Sequence, residues 1–430
     1  MDKLIEKIKK NGLSGEITIP PDKSISHRSL IFGFLTNSKI KIKNLSVCED
    51  CISTLKILKQ LGAKYEFISK NDLILDSSDV LKEGEFIFDC GNSGTTTRLL
   101  SGFFARSNYQ ATLKGDKSLS KRPMKRIIEP LRLMGADIES NENKLPLKIK
   151  GKKLNAITYN SPIASAQVKS CLLLAGLGID DETVIYEPSL SRNHSEIMLE
   201  YLGADIKTGK NEKGYFTKIK KSPLISKDIE ISGDISSAAF FMVGAAIVPD
   251  SSILIKNVGI NPTRTGILDI FNQAGVDYKL LNKRKISNEE VCDISVKYTK
   301  NIKPFEIKGD MVPRLIDEIP ILALLATQAQ GKTIVCDAQD LRNKESDRIK
   351  TITEAFKKAD VEIKENIDGF EIQGKKEINK ELNLETFLDH RLAMTYFVLS
   401  LINKKETKIK GFDCVNTSFP EFLNLFNLLI

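Results

Sequence analysis

The stretch IPPDKSISHRSL (residues 19–30) leads directly into the apolar residues IFGFL (31–35). An aspartate and serines ahead of an apolar run are typical of a helix N-terminus, because their oxygens accept hydrogen bonds from the first backbone N–H groups. The remaining N–H groups and the helix dipole attract anions. Lys23 and Arg28 add two cations at the same place. The stretch therefore predicts a helix whose N-terminus binds an anion.

The same construction recurs along the chain. At intervals of about 70 residues, polar helix starts are marked by Ser24, Asn92, Ser165, Ser236, Asp317 and His390. A second marker runs in phase with the first: an apolar helical pattern ends at a small residue before an extended stretch, at Gly62, Gly135, Gly203 and Gly275 and more weakly at Asp360. The sequence therefore predicts six copies of one unit with two helices and several short strands, an α/β repeat rather than a helical solenoid.

A chain of 430 residues exceeds the usual size of a single core, so at least two domains are expected, and three units in each is the simplest division. The strand-like SGEITIP (14–20) and the ISGD stretch (231–234) are the natural crossings between them. We therefore predict one domain over residues 21–233 and a second formed by residues 1–20 and 234–430.

Composition excludes several classes of protein. The chain is 41% hydrophobic and 28% charged, as in ordinary globular proteins, and its net charge of +8 is spread along its whole length. This favours small acidic substrates over nucleic acid. No apolar run approaches the ~18 residues of a membrane helix, and the N-terminus has no signal-peptide pattern, so we expect a cytoplasmic protein without membrane association.

The cysteines predict neither disulfides nor a metal site. The chain has seven, an odd number, without the spacing of a disulfide framework. The CEDC stretch (48–51) has a zinc-like spacing but no partner pair, so buried thiols are the simpler reading. We predict no metal.

Three further stretches carry groups that suit phosphate or carboxylate ligands. FIFDCGNSG (86–94) runs from a strand into a glycine-rich turn before a helix, which is phosphate-cradle geometry. In the basic run KSLSKRPMKR (117–126), Pro123 fixes the direction of Arg122, although such a run can also be a solvated face. Lys344 and Arg348 stand near a helix start where the dipole favours acids, so they are well placed only if they hold an anion.

Taken together, these motifs resemble a known family. They are PPDKSISHRSL, GNSGTTTRLL, GDxSLxxRPM, SAQVKSCLLLAG, SRNHSE, GDISSAAFF, NPTRTG, RLIDEIPILALLA, LRNKESDRI, LDHRLAM and SFPEF, which span residues 20 to 422. They resemble the 3-phosphoshikimate 1-carboxyvinyltransferases, also called 5-enolpyruvylshikimate-3-phosphate synthases, and SAQ and NPTR resemble the second class of that family. The resemblance implies two domains of three βαβαββ units each, an inside-out α/β barrel with helix N-termini converging on the cleft between the domains.

The resemblance also implies the reaction. The enolpyruvyl group of phosphoenolpyruvate moves to the 5-hydroxyl of shikimate 3-phosphate and inorganic phosphate is released, without cofactor or metal. Separately from the resemblance, we expect a monomer. Glyphosate, which resembles phosphoenolpyruvate, would compete for the phosphoenolpyruvate subsite.

Roles can be carried over motif by motif. The resemblance implies that shikimate 3-phosphate is held by Lys23, Ser24, Arg28, Ser165, Gln167, Arg192, Asp317 and Lys344. It implies that phosphoenolpyruvate is held by Lys23, Asn92, Gly94, Arg122, Gln167, Arg348 and Arg391. Asp317 would accept the hydroxyl proton, Glu345 would be a second acid/base, and Lys23 is assigned to the catalytic set. Asp317 and Glu345 can also be read as helix caps or as partners of neighbouring cations.

The chain departs from the family pattern at two positions. Thr417 stands where many members have a lysine, and Ala166 stands where others have a serine. His390, beside Arg391, is either chemical or structural, and His27 and His194 are read as structural.

Two alternatives stay open. The enolpyruvyl transferase acting on UDP-N-acetylglucosamine has a reactive cysteine in the region of KGDKSLSKRPM (114–124), where this chain has none. A non-catalytic binder of anionic metabolites would not need both Asp317 and Glu345.

Overall fold

A computed structural model describes residues 3–5, 12–374 and 377–430. The chain divides into two compact units. Unit A comprises Pro21–Ile231 with Ile286–Glu289, and unit B comprises Met1–Pro20, Ser232–Lys285 and Glu290–Ile430.

The secondary structure alternates short strands with helices throughout the described residues. In chain order the strands are β1 (Lys3–Ile5), β2 (Ser14–Thr18), β3 (Lys39–Lys43), β4 (Lys64–Phe67), β5 (Leu73–Asp76), β6 (Glu83–Asp89), β7 (Asn108–Lys114), β8 (Asp137–Asn141), β9 (Lys144–Lys150), β10 (Thr158–Asn160), β11 (Thr183–Glu187), β12 (Ile206–Asn211), β13 (Gly214–Ile219), β14 (Ile229–Glu230), β15 (Ser252–Gly259), β16 (Tyr278–Ile286), β17 (Glu289–Lys297), β18 (Glu306–Ile307), β19 (Lys332–Val335), β20 (Glu362–Asn366), β21 (Gly369–Gln373), β22 (Leu382–Glu385) and β23 (Thr407–Lys410). The α-helices are α1 (Lys23–Phe34), α2 (Glu49–Gln60), α3 (Gly94–Arg106), α4 (Lys125–Leu133), α5 (Ala166–Gly176), α6 (His194–Tyr201), α7 (Ile235–Ile247), α8 (Gly266–Ala274), α9 (Val312–Leu315), α10 (Ile319–Thr327), α11 (Arg348–Lys358), α12 (His390–Ile402) and α13 (Phe422–Asn427). Short 3₁₀ helices lie at Leu119–Lys121, Gly309–Met311, Gln339–Asn343 and Phe412–Thr417.

One sheet topology recurs along the chain. In the sheet β10-β11-β13-β12 the first two strands are parallel, β11 is antiparallel to β13, and β13 is antiparallel to β12. The sheets β6-β7-β9-β8 and β18-β19-β21-β20 repeat this order. With the helices between their strands, these are βαβαββ units. The mixed α/β class predicted from the repeat is confirmed.

The other three sheets are completed by strands from distant parts of the chain. In unit A, β14 pairs in parallel with β3 and completes the sheet β14-β3-β5-β4. In unit B, β2 pairs in parallel with β15, and β1 pairs with β23 of the three-stranded sheet β1-β23-β22. Because β1 and β2 precede unit A in the chain, unit B cannot be assembled from the C-terminal half alone.

The polar stretches that mark the repeats are helix N-caps in five of the six copies. The side chains of Asp22, Ser93, Ser165, Asp234 and Asp389 each accept a hydrogen bond from a backbone N–H in the first turn of the following helix. These bonds satisfy donors that a helix start leaves unpaired, so the sequence pattern has a local physical cause.

The fifth copy differs from the prediction that Asp317 begins a helix. Asp317 lies in a turn between α9 and α10, and α10 begins at Ile319 with Glu318 at its N-cap. A proline stands in the first turn of both helices, Pro313 in α9 and Pro320 in α10. Since proline at this position favours a new helix start, two short helices form and Asp317 falls between them. Asp317 is therefore not a helix cap.

The second repeat marker is also explained by backbone conformation. Gly62, Gly135, Gly203 and Gly275 have φ values of 100°, 94°, 86° and 70°, and Asp360 has a φ of 57°. Each follows the end of a helix, where a left-handed residue ends the α-helical hydrogen bonding. Glycine adopts this conformation without the steric cost that a Cβ would bring, which explains its recurrence at four of the five positions.

The close approach of α3 and α5 positions the site in unit A. A Cβ added at Gly102 in α3 would lie 1.9 Å from the backbone oxygen of Cys171 in α5, so only glycine fits there. Both helices are buried along most of their length. Their tight packing holds the N-terminus of α3 near that of α5, as the Arg98–Gln167 contact below shows. Among the described residues, no helix is long and apolar enough to cross a membrane.

Candidate active site

The N-terminus of α1 carries the first candidate cation. Asp22 caps this helix, its Oδ1 accepting a hydrogen bond from the N–H of Ile25 at 2.8 Å. Lys23, the first residue of α1, places its Nζ 3.0 Å from Asp50 Oδ2, and its side chain stays 26% exposed. The ion pair therefore fixes the direction of the ammonium group while leaving it open to a ligand.

Arg28 is held by three serines. Its Nε donates to Ser195 Oγ at 2.7 Å, its Nη2 to Ser170 Oγ at 2.8 Å and its Nη1 to the backbone oxygen of Ser24 at 2.9 Å. Burial lowers the pKa of Arg28 to about 10, so the guanidinium remains charged at neutral pH. The arginine thus connects the N-terminal parts of α1, α5 and α6 and brings a fixed positive charge to them.

The glycine-rich turn before α3 brings Asn92 and Arg122 together. Asn92 Nδ2 donates to Asp116 Oδ2 at 2.6 Å, and its Oδ1 accepts from Arg122 Nη2 at 2.8 Å. Gly94 is the first residue of α3, directly after the N-cap Ser93. A guanidinium and a helix N-terminus therefore lie next to each other, which is the arrangement expected for a phosphate or carboxylate ligand.

Arg98 also belongs to this group, although no role was predicted for it. It is 4% exposed, and its Nη1 donates to Gln167 Oε1 at 2.7 Å. Gln167 Nε2 in turn donates to Thr95 Oγ1 at 3.1 Å. The signal was present in the sequence: Arg98 stands four residues after Gly94 and therefore on the same face of the helix.

The start of α5 and the loop before α6 carry the remaining predicted residues of unit A. Ser165 caps α5, and its backbone N–H donates to Glu187 Oε1 at 3.0 Å. Arg192 lies in the segment between β11 and α6. Burial has the larger effect on the pKa of Arg28, and the positive charge of Arg192 lowers that pKa further. The two guanidinium groups therefore lie close enough for their charges to interact.

Unit B contains the predicted base within a cluster of cations. Asp317 Oδ1 lies 3.5 Å from Lys344 Nζ, 3.7 Å from Arg348 Nη1 and 3.9 Å from Arg391 Nε. The backbone oxygen of Asp317 accepts a hydrogen bond from Arg391 Nη1 at 3.2 Å. Its side chain is 16% exposed. One accessible carboxylate is thus surrounded by three positive charges, two from the segment 344–348 and one from the start of α12.

Arg348 is anchored by two further carboxylates. Its Nε and Nη2 bind the two oxygens of Asp389 at 2.8 Å and 3.1 Å, and its Nη2 lies 2.7 Å from Glu345 Oε2. Burial alone would lower the pKa of Arg348, but Asp389, Glu345 and Asp317 together raise it above the ordinary value. The sequence predicted Arg348 at a helix start but did not indicate which carboxylate it binds. That carboxylate belongs to Asp389, which is fully buried and was not predicted.

Two further positions singled out in the sequence belong to unit B. His390 is the first residue of α12, between Asp389 and Arg391, and is 6% exposed. Thr417, where many members of the resembled family have a lysine, ends the 3₁₀ helix Phe412–Thr417.

The other two histidines are buried in unit A. His27 is fully buried, and its Nδ1 lies 2.8 Å from Thr54 Oγ1. Thr54 Oγ1 is 2.7 Å from Thr96 Oγ1, which donates to Ser93 Oγ at 2.7 Å. This chain of side chains connects α1 to the N-cap of α3. His194 Nδ1 lies 2.7 Å from Glu289 Oε1 and is likewise buried.

The cysteines are free thiols in this structure. Cys48 and Cys51 are both buried, and their hydrogen bond lowers the pKa of Cys48 to about 7. Within the described ranges, no group of three or more His, Cys, Asp or Glu side chains could hold a metal ion.

The predicted site residues therefore fall into two groups. Unit A holds Lys23, Ser24, Arg28, Asn92, Gly94, Arg122, Ser165, Gln167 and Arg192, and unit B holds Asp317, Lys344, Glu345, Arg348 and Arg391. Each group combines fixed cations with helix N-termini or carboxylates. Such an arrangement can bind phosphates and carboxylates and can accept a proton.

The fold is that of the enolpyruvyl transferases. The solved structure of the enolpyruvyl transferase NikO from Streptomyces tendae shares the fold, with a TM-score of 0.76 over 97% of this chain and 95% of that one at 16% identity. The structure of EPSP synthase from Acinetobacter baumannii matches with a TM-score of 0.87 and 36% identity over 100% of this chain and 98% of that one.

Sequence comparison identifies the family. The model of EPSP synthase (3-phosphoshikimate 1-carboxyvinyltransferase) matches residues 7–426. The 3-phosphoshikimate 1-carboxyvinyltransferase of a Thermoanaerobacter species is 46% identical over 99% of this chain and 100% of its own length. That of Thermodesulfovibrio yellowstonii is 46% identical over 100% of both chains. The chain belongs to the EPSP synthase family and is a transferase of the shikimate pathway, which leads to the aromatic amino acids. The resemblance found in the sequence motifs is confirmed.

Proposed function

We propose that this chain transfers the enolpyruvyl group of phosphoenolpyruvate to the 5-hydroxyl of shikimate 3-phosphate and releases inorganic phosphate. The observation that carries the proposal is the Asp317 carboxylate among Lys344, Arg348 and Arg391, at 3.5 to 3.9 Å, in a member of the EPSP synthase family. Each substrate brings a phosphate and a carboxylate, and such a concentration of negative charge requires fixed cations. A base among those cations suits an acceptor that must lose a proton.

The acceptor, shikimate 3-phosphate, is assigned to residues from both units. They are Lys23, Ser24, Arg28, Ser165, Gln167, Arg192, Asp317 and Lys344. The support for this assignment is that Arg28 is held rigidly by Ser170 and Ser195, and that Ser165 starts a helix next to it. Rigid cations and a helix N-terminus bind a phosphate with little loss of entropy on binding.

The donor, phosphoenolpyruvate, is assigned to a second set. It consists of Lys23, Asn92, Gly94, Arg122, Gln167, Arg348 and Arg391, and we add Arg98 because it orients Gln167. The Asn92–Arg122 bond and the Asp389–Arg348 bonds hold two of these guanidinium groups in place. Planar guanidinium groups bind phosphate and carboxylate through paired hydrogen bonds, which suits both ends of this substrate.

The reaction requires one base and one acid that exchange roles. Asp317 takes the proton of the 5-hydroxyl while the hydroxyl oxygen bonds to C2 of phosphoenolpyruvate. Glu345 supplies the proton that converts the methylene carbon to a methyl group, which yields a tetrahedral intermediate. In the second step the Glu345 carboxylate takes a proton back from the methyl group, the double bond re-forms, the C–O bond to phosphate breaks, and Asp317 returns its proton to the departing phosphate. Lys23 stabilises the negative charge carried by both substrates during these steps.

The proposal also covers the domain organisation, the oligomeric state and location, and the cofactor requirement. The chain forms two domains, residues 21–233 and residues 1–20 with 234–430, that are both needed for the reaction. The protein acts as a monomer in the cytoplasm. It uses no metal or cofactor, because proton transfer and charge stabilisation suffice for the chemistry.

The decisive experiment measures phosphate release from phosphoenolpyruvate with each of two acceptors. Release with shikimate 3-phosphate, together with mass-spectrometric detection of the enolpyruvyl product, is the expected result. Release with UDP-N-acetylglucosamine alone would contradict the proposal and favour the related enolpyruvyl transferase. Absence of turnover with either acceptor, in a protein that binds both substrates, would favour a non-catalytic binder.

A further inference from the structure

A fully buried lysine lies behind the acceptor residues of unit A. Lys169 on α5 is 1% exposed, and its Nζ lies 2.6 Å from Glu187 Oε2 and 2.7 Å from Glu196 Oε1. The two carboxylates are 4% and 5% exposed, so all three charged groups are removed from solvent. None of the three was assigned a role above.

The two carboxylates stand on either side of the segment that carries Arg192. Glu187 is the last residue of β11, and Glu196 lies in the first turn of α6. Between them, the backbone oxygen of Ser191 accepts a hydrogen bond from Lys169 Nζ at 3.4 Å. One ammonium group therefore fixes both ends and the middle of the loop that presents Arg192.

The same cluster reaches two more acceptor residues. Glu187 uses its other oxygen, Oε1, to accept the N–H of Ser165 at 3.0 Å. Glu196 acts on Arg28, since its charge is the strongest influence that opposes the lowering of the Arg28 pKa by burial. The neighbours of the cluster in sequence, Ser170 and Ser195, are the serines that bind Arg28. The cluster is thus linked to Ser165, Arg28 and Arg192.

Lys169 remains charged in this environment. Burial by itself would lower the pKa of Lys169, but Glu196 and Glu187 more than offset it and raise the pKa above the ordinary value. Burying three charges costs desolvation free energy, and apolar side chains of similar volume often stabilise a fold as well or better. The cluster is therefore better explained by the geometry it imposes than by stability.

We propose that Lys169 is a positioning residue of the shikimate 3-phosphate subsite, holding Arg192, Ser165 and Arg28 in one arrangement through Glu187 and Glu196. The inference rests on the proposed function. It assigns Lys169 no contact with substrate. Its removal should weaken acceptor binding, because losing hydrogen bonds between the substrate and displaced charged groups costs roughly 10- to 100-fold in affinity.

The test compares wild-type protein with Lys169→Met, which keeps the length of the side chain and removes its charge. We expect the Kd for shikimate 3-phosphate, measured by calorimetry on the full chain, to rise about 10- to 100-fold. The KM for phosphoenolpyruvate at saturating acceptor should change by less than about 3-fold, since the hydrogen bonds described for Asn92 lead to Arg122 and Asp116 rather than to the cluster. Lys218→Met is the matched control, because Lys218 pairs with Glu182 at 2.9 Å on the exposed face of the same unit. It should leave both values unchanged.

A second variant covers the possibility that Lys169→Met does not fold. Glu187→Gln keeps an oxygen for the Ser165 N–H and leaves a balanced Lys169–Glu196 pair. It should raise the Kd for shikimate 3-phosphate in the same direction by a smaller factor. Far-ultraviolet circular dichroism and the thermal midpoint identify folded protein for each variant.

Two results would overturn the inference while leaving the proposed function intact. One is unchanged affinity for shikimate 3-phosphate in the folded variants. The other is an equal loss of affinity for both substrates, which would indicate general loosening rather than positioning of the acceptor subsite. Wild-type protein that neither binds nor converts shikimate 3-phosphate would instead overturn the proposed function, and the inference with it.

Discussion

The substitution Gly94→Ala tests the phosphoenolpyruvate subsite most directly, because its steric effect can be measured in the structure. An added Cβ would lie 2.6 Å from Arg98 Nη1, and the next side-chain neighbour, Leu119 Cδ1, would be 3.7 Å away. The obstacle is the end of a long side chain, so the guanidinium can yield. To reach an ordinary separation of ~3.5 Å it must move by about 0.9 Å.

A displacement of that size directed away from Gln167 would remove a hydrogen bond that orients a proposed substrate-binding residue. Arg98 Nη1 donates to Gln167 Oε1 at 2.7 Å, and a movement of about 0.9 Å away from Gln167 would lengthen it beyond a useful hydrogen bond. A hydrogen bond to a charged group contributes about 1.5 to 3 kcal/mol. At about 1.4 kcal/mol for each factor of ten, the KM for phosphoenolpyruvate should rise roughly 10- to 150-fold.

Gly94→Ala should weaken glyphosate binding by a larger factor than it weakens phosphoenolpyruvate binding. Glyphosate is longer than phosphoenolpyruvate, so it has less tolerance for a methyl group beside the cradle. We expect inhibition that is competitive with phosphoenolpyruvate in the wild type, and a higher ratio of inhibition constant to KM in Gly94→Ala. Initial-rate phosphate release, with phosphoenolpyruvate and glyphosate both varied, measures the two quantities.

The matched control is Gly244→Ala in α7. Its added Cβ would meet Leu13 Cδ1 at 3.4 Å, an ordinary contact, so the same change of residue occurs in a helix without a clash. It should leave both constants unchanged. Unaltered KM and unaltered inhibition in folded Gly94→Ala would refute the reasoning, since the Arg98 displacement would then have no effect on the subsite.

Three further predictions follow from the site and its surroundings. Asp317→Asn should slow phosphate release by about 10² to 10⁴-fold, because the amide cannot accept the proton. It should cost little affinity for shikimate 3-phosphate, because the substitution removes a negative charge from among three cations. Near-normal turnover would contradict the role of Asp317 as the base. Asp389→Asn should raise the KM for phosphoenolpyruvate about 10-fold or more, because the buried Arg348 guanidinium loses its charged partner. Asparagine should still cap α12, so the helix start is kept. An unchanged KM would show that Glu345 and Asp317 alone hold Arg348. Burial lowers the pKa of His27 from 6.5 to about 3, so between these values the unfolded chain binds a proton that the folded chain does not, and stability is lost as the pH falls below 6.5. Between pH 7 and pH 5 the free energy of unfolding in urea should therefore fall about 2 kcal/mol more in the wild type than in His27→Gln, and equal losses would contradict a neutral buried imidazole.

The repeat and the family could be predicted from the sequence because both depend on local pattern. A helix cap joins residues three or fewer positions apart, as Asp22 with Ile25, and a glycine stop such as Gly62 depends on the backbone of one residue. The motifs are likewise short and contiguous. Where local signals conflicted, the prediction was wrong: the two prolines around Asp317 produce two helices, so this residue stands in a turn.

The charged partners of the functional groups follow only from the tertiary structure. Asp317 meets Lys344, Arg348 and Arg391 from two distant segments, Arg348 is anchored by Asp389 forty-one positions away, and Lys169 binds carboxylates on β11 and α6. Such pairings have no sequence period, since they depend on which helix N-termini the sheets bring together. A single sequence can therefore show that cations and carboxylates are present in suitable motifs. Which carboxylate meets which cation, at what distance and how far from water, follows only from the folded chain.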